Sequence, residues 1–159
     1  MAFWSSNKIE PLRKRSFKVS LGGDEKLSFL AKTVNKPTLE TDVNEYKLIN
    51  QIKKFPSIAK WNDITIKYVD TKEQKITNKL IGLMMTSANV PSTGWTADAI
   101  VKGDVKLIIE QLDASGAASS TWSFKNPFIR SINFGDLDYT SDEFVEVDVI
   151  VSYDWAYVA

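Results

Sequence analysis

The last stretch of the chain, Phe144 to Val158, sets the tightest limit on the fold. Val145, Val147, Val149, Val151, Tyr153 and Trp155 take every second position, with Glu146, Asp148, Ile150, Ser152 and Asp154 between them. Strict period-2 alternation marks a β-strand with one apolar and one wet face. At about 3.3 Å per residue, residues 144–158 span roughly 50 Å as a single strand, far beyond the usual length. One long C-terminal strand is therefore expected, with carboxylates along its polar face.

Charge and residue usage narrow the functions open to such a chain. Lys+Arg and Asp+Glu are 20 each, so the net charge is zero. A protein whose main task is to grip nucleic acid is usually strongly basic. Zero net charge also removes the long-range repulsion that keeps copies of a chain apart. There is no cysteine and no histidine, which excludes disulfides, thiolate sites, Ser-His-Asp catalysis and most zinc sites. Carboxylate and lysine chemistry remain. The 159 residues suffice for one core, and a single domain over 1–159 is expected. The N-terminus lacks the apolar run of a signal peptide, and no run of ~18 apolar residues follows. A soluble protein made in the cytoplasm, with no membrane span, is the expectation.

Residues 1–15 form an arm that carries Phe3 and Trp4 and ends in Arg13-Lys14-Arg15. Large apolar groups on a polar tail suit an anchor that docks on a neighbouring copy. Phe17, Val19 and Leu21 define a first strand, Gly22-Gly23-Asp24 a hairpin turn, and 27–33 the returning strand, closed by Pro37. Residues 38–60 are less regular. Val43, Tyr46, Leu48, Ile49, Ile52 and Phe55 are apolar, Lys53-Lys54 is basic, and Asn50-Gln51 can turn a long hairpin. A connection this long in a compact domain is often a binding element, so a projecting hairpin touching other subunits is expected. Ile64–Val69 reads as a strand. Asp70-Thr71 offers a helix cap, and Ile76, Leu80, Leu83 and Met84 recur at helical spacing, predicting a helix over 71–88. Strands are expected at 104–112 and 121–125, with 113–120 as a flexible turn.

No phosphate-binding glycine motif is present. Asp136 and Asp138 form a D-x-D pair, better read as turn residues than as a metal site. Glu146 and Asp148, two apart on one strand face, read as an acidic solvated face rather than an acid/base pair. No cofactor, metal or catalytic set is expected.

In order and spacing, the chain resembles the tail tube proteins of contractile-tailed bacteriophages. The resemblance rests on P-L-R-K-R-S-F-K-V-S-L (11–21), W-N-D-I-T-I (61–66) with the helix after it, S-F-K-N-P-F-I-R-S-I followed by L-D-Y (137–139), and V-E-V-D-V-I-V-S-Y-D-W (145–155). It covers nearly the whole chain, and departs from the pattern by running on past Trp155 to Ala159. It implies a mainly β fold: two packed antiparallel sheets, a sandwich or partial barrel, with one flanking helix and a long projecting hairpin. It implies hexameric rings joined edge to edge into a β-barrel channel, stacked into a tube. The partners implied are other copies of the chain, a sheath, baseplate and tail terminator proteins, a tape measure protein, and DNA in transit, in a virion tail assembled in the host cytoplasm. Tyr46, Leu48, Ile49, Ile52, Lys53, Lys54 and Phe55 would make contacts between subunits and rings, as would Phe3 and Trp4. Glu146 and Asp148 would line the channel and repel phosphate. A tube-initiating baseplate protein, the tube of a secretion or phage-tail-like system, and a β-sandwich binding domain are the alternative readings.

Overall fold

The structure, a computed structural model, describes residues 12–23, 25–73, 76–87 and 105–159. The first sheet has the order β1-β6-β7-β10, built from β1 (Phe17–Leu21), β6 (Leu107–Leu112), β7 (Ala118–Lys125) and β10 (Trp155–Val158). The second has the order β2-β5-β9-β8, built from β2 (Ala31–Val34), β5 (Ile64–Val69), β9 (Glu146–Ser152) and β8 (Phe128–Asn133). All their pairings are antiparallel. The protein is mainly β, as its alternating sequence predicts.

Alternation builds the core. Val19, Leu21, Leu107, Ile109 and Phe124 point inward from the first sheet, and Ile64, Ile66, Tyr68, Val147, Val149 and Val151 from the second. All of these lie in one buried cluster, which Leu27, Ile76 and Leu80 close from outside the sheets. The residues between them, such as Lys67, Asp148 and Glu110, face outward. Two sheets that each bury one face against the other form a sandwich.

Three sequence expectations are corrected. The first concerns the terminal strand. It is not one strand but two, β9 and β10, which lie in different sheets. The chain turns at Tyr153–Asp154. There the Tyr153 ring meets Phe124 edge-on at 4.8 Å, and its hydroxyl donates to the Asn62 carbonyl at 2.7 Å. The Asp154 amide donates to the Lys125 carbonyl at 3.0 Å. The alternation changes phase at this corner: odd residues are buried in β9, but Ala156 is the buried residue of β10. Trp155, expected on the apolar inner face, therefore stands on the outside, with Tyr157 beside it. A shift of one residue exchanges the two faces of a strand. Phe144 and Val145 precede β9 and are not in a strand.

The second correction is the expected hairpin at residues 17–33. β1 pairs with β6 and β2 with β5, so they sit in separate sheets. Gly22 and Gly23 have φ of 68° and 76° and lead into a short helix, α1 (Glu25–Ser28), whose Leu27 plugs the end of the core. A Cβ on Gly22 would stand 2.6 Å from the Leu83 side chain, so glycine serves both the turn and the close approach. The third is the helix start: α2 runs Ile76–Ser87, not from Thr71. Asp70 instead accepts from the Thr71 amide at 2.9 Å and the Thr77 hydroxyl at 3.2 Å.

Tyr68 lies at the centre of the core, and its hydroxyl has no hydrogen-bond partner among the described residues. Burial pushes the phenol pKa up, so it stays neutral. An unpaired buried hydroxyl is a cost of about 1–3 kcal/mol. Replacing Tyr68→Phe is expected to leave stability unchanged or raise it by about 1 kcal/mol. Ile66→Ala, one position removed from it on the same face, is expected to cost about 2–5 kcal/mol. Urea midpoints of the monomer, with an unchanged slope, check both.

Candidate assembly surfaces

A long hairpin lies without a cover among the described residues. β3 (Leu39–Leu48) and β4 (Gln51–Trp61) pair only with each other, as a separate two-stranded sheet. The turn falls at Ile49-Asn50, one residue earlier than the sequence suggests, because Leu48 pairs with Gln51. At about 3.3 Å per residue, an arm of ten residues reaches roughly 33 Å. Every residue of both strands is exposed except Trp61, which is half-buried.

Register sorts the expected contact residues onto two faces. Tyr46 lies opposite Lys53, Leu48 opposite Gln51 and Asn44 opposite Phe55, so Tyr46, Leu48, Lys53 and Phe55 share one face. Ile52 lies opposite Lys47, Lys54 opposite Glu45 and Val43 opposite Pro56, so Val43, Ile52 and Lys54 share the other. Ile49 at the tip is fully exposed, at 100%. Leu39 and Ile58 extend the apolar surface beyond the residues singled out from sequence. An isolated two-stranded hairpin is at best marginally stable in water. Asp42–Lys60, at 3.5 Å, and the Thr41 hydroxyl on the Ser57 carbonyl, at 2.8 Å, fasten only its base. Two apolar faces with no cover of their own are the mark of a binding element. Phe3 and Trp4 lie outside the described residues.

Glu146 and Asp148 sit together on the outer face of the second sheet, as their spacing predicts. Their surroundings are not simply acidic. Lys32 of β2 forms an ion pair with Glu146, and the Lys67 ammonium of β5 lies 3.5 Å from Glu146 and 3.8 Å from Asp148. Further along, Arg130 meets Asp63 at 2.5 Å, and Asp63 also accepts from the Ser152 hydroxyl at 2.6 Å. Carboxylates and cations therefore alternate across this face. A period-2 pattern places the two acids on one side of their own strand, but says nothing about which cations stand on the strands beside it. The Lys32 hydrogen bond and charge hold the Glu146 carboxyl below its usual range, and Glu146 raises Lys32 in turn.

The remaining candidates have local roles. Asp138 accepts from the Thr140 amide and hydroxyl at 2.9 and 2.8 Å, so this half of the D-x-D pair fixes a turn. Among the described residues no cluster of three or more acidic, histidine or cysteine side chains is placed to hold a metal. No described helix is long and apolar enough to cross a membrane.

Comparison with known proteins places the fold. No protein-family model matches the sequence, and no curated protein matches it. Among solved structures, the tube-terminating cap of the anti-feeding prophage is similar, with 18% identity over 100% of this chain and 99% of that chain and a TM-score of 0.71. The sheath/tube terminator of an extracellular contractile injection system, PVC, gives 17% identity, 96% and 99% coverage, and a TM-score of 0.72. A chain of the PVC sheath-tube complex gives 18% identity, 94% and 91% coverage, and a TM-score of 0.69. The chain thus has the fold of tube and cap proteins of contractile injection systems. Those proteins are parts of contractile assemblies.

A carboxylate with a depressed folded-state pKa contributes stability above its ordinary range, and loses it as pH falls through the folded value. A lysine with a raised pKa contributes below its ordinary range, and loses it as pH rises. The Lys32–Glu146 pair therefore acts between the carboxylate and lysine ranges. The stability difference between the wild type and Glu146→Gln should be widest near neutral pH. It should close at acid pH and shrink in 1 M salt; paired denaturation curves against pH and salt check this.

Proposed function

We propose that this chain is a structural subunit of the tube of a contractile-tail apparatus. Copies form hexameric rings by joining sheets edge to edge, and rings stack into a hollow tube. The observation that carries this reading is the projecting hairpin, which exposes large apolar side chains on both faces and is uncovered by the described residues. Edge strands add to it. β1 and β10 bound one sheet, β2 and β8 the other, and among the described residues each leaves a row of backbone groups open to pairing. Closing sheets into a barrel removes such edges. The same fold in the tube and cap proteins of injection systems supports this reading.

On this reading the partners are a sheath around the tube, a baseplate at one end and a terminator at the other. In a bacteriophage tail the lumen would hold a tape measure protein and then pass DNA, and the particle would assemble in the host cytoplasm. No catalytic step is involved. A second reading, the ring that caps the tube, is favoured by similarity to two terminator proteins as strong as that to the sheath-tube chain.

Negative-stain images of the purified protein test both. Hollow tubes are expected of a tube subunit, and single rings that never stack of a cap. A chain that stays monomeric at high concentration would sink both readings. Asn44 and Phe55 are opposed across the hairpin, so replacing residues 45–54 with Asn-Gly closes a shortened hairpin. That variant is expected to fold as a monomer and to form no tubes.

A further inference from the structure

A groove of about 780 Å³ opens at the margin of the sandwich, beside β1 and β2. Its wall is apolar, with Phe17, Val34, Ile109 and Trp122. Its rim is basic, with Lys14, Arg15, Lys32 and Lys36, and no carboxylate lines it among the described residues. Lys36 donates to Gln111 at 2.5 Å and Lys32 pairs with Glu146. Among the described residues no carboxylate is paired with Lys14, Arg15 or Lys36. An apolar cleft with such a rim suits a segment that is apolar and acidic together.

One described segment of this chain has that chemistry. The loop between β8 and β9, Phe134 to Val145, carries Asp136, Asp138, Asp142 and Glu143 and no cation. Leu137, Tyr139 and Phe144 are almost wholly exposed on it, so the loop is not seated in its own groove. Gly135 starts the loop at φ 79°, where a Cβ would stand 2.7 Å from the Glu146 carbonyl, so the loop leaves the sheet in a fixed direction. The Thr140 bonds hold the Asp138 carboxyl below its usual range, which keeps the loop acidic. Two other candidate occupants, the hairpin and the N-terminal arm, carry no net acidic charge. The hairpin from Val43 to Phe55 carries Lys47, Lys53 and Lys54 against Glu45, and residues 1–11 balance Lys8 against Glu10.

We propose that the acidic loop of one copy docks in the basic-rimmed groove of the next. The contact joins two different surfaces, so it runs head to tail and propagates through rings or stacks. It deepens the tube reading and rests on it. Lys14 and Arg15 of the basic cluster and the acidic loop around Asp136 become the two halves of one interface. Its charged part weakens with salt, while the apolar hairpin contact does not.

Charge reversal and rescue test it. The groove variant is Lys14→Glu, Arg15→Glu, Lys36→Glu; the loop variant is Asp136→Lys, Asp142→Lys, Glu143→Lys. All six side chains are exposed, and circular dichroism of the monomers checks that both variants fold. In low salt each variant is expected to need at least about ten-fold more protein to assemble, a loss of about 1.4 kcal/mol. Combining the two sets in one chain should restore assembly, read by sedimentation and electron microscopy. Either variant assembling at the wild-type concentration overturns the contact and leaves the tube reading standing. Assembly that both variants lose and the combination does not recover also overturns it. A wild type that never assembles overturns the tube reading, and this contact with it.

Discussion

The packing of the Val147, Val149 and Val151 row against the first sheet is the interaction on which the rest of the structure depends. β9 pairs with β5 on one side and β8 on the other, so it is a central strand of its sheet. Its valines are completely buried. The chain then turns at Tyr153–Asp154 and becomes β10, the edge of the other sheet. One short segment therefore fills the core and ties its two layers together. Apolar burial of this kind stabilises by about 25 cal/mol per Å², and the corner adds the Tyr153–Phe124 ring contact and the Asn62 hydrogen bond.

That core accounts for the sandwich and leaves the hairpin out. β3 and β4 project as a sheet of their own, and nothing among the described residues covers either face. The loop before β9 is likewise apolar and open to solvent. A monomer that stabilises its body internally and leaves its projections uncovered keeps part of its stabilisation for contact with other copies. This separation suits an assembly subunit.

Zero net charge conceals a strong polarity along the chain. The segment from Arg13 to Lys36 is rich in lysine and arginine, while no cation follows Arg130. Inside one copy the two ends meet on the second sheet, where Lys32 from the basic half pairs with Glu146 from the acidic half. Beside that meeting point lie the groove rim and the loop, each with unspent charge of one sign. Attraction between unlike surfaces of like copies orders subunits without a net charge that would drive them apart.

Much of the fold was legible in the sequence because alternation is a local property. The inward Phe17–Leu21, Ile64–Val69 and Val147–Val151 rows and the helix at Ile76–Leu80 announce themselves in side-chain period, and the long hairpin in the length of its segment and the Asn50-Gln51 turn signal. So does the pairing of Glu146 and Asp148 on one face. What no local pattern carries is which strand lies beside which. The Gly22-Gly23 turn looks like a hairpin, yet the chain crosses between sheets there. The terminal alternation looks unbroken, yet it changes sheet and phase at Tyr153. Lys32 and Lys67 reach Glu146 only because β2, β5 and β9 are neighbours, and the groove exists only because β1 and β2 part into separate layers. Sequence alone determined which residues want burial and which want water, since that is a property of each side chain. The tertiary structure alone decided who covers them, because strand pairing and layer packing join residues that the chain keeps far apart.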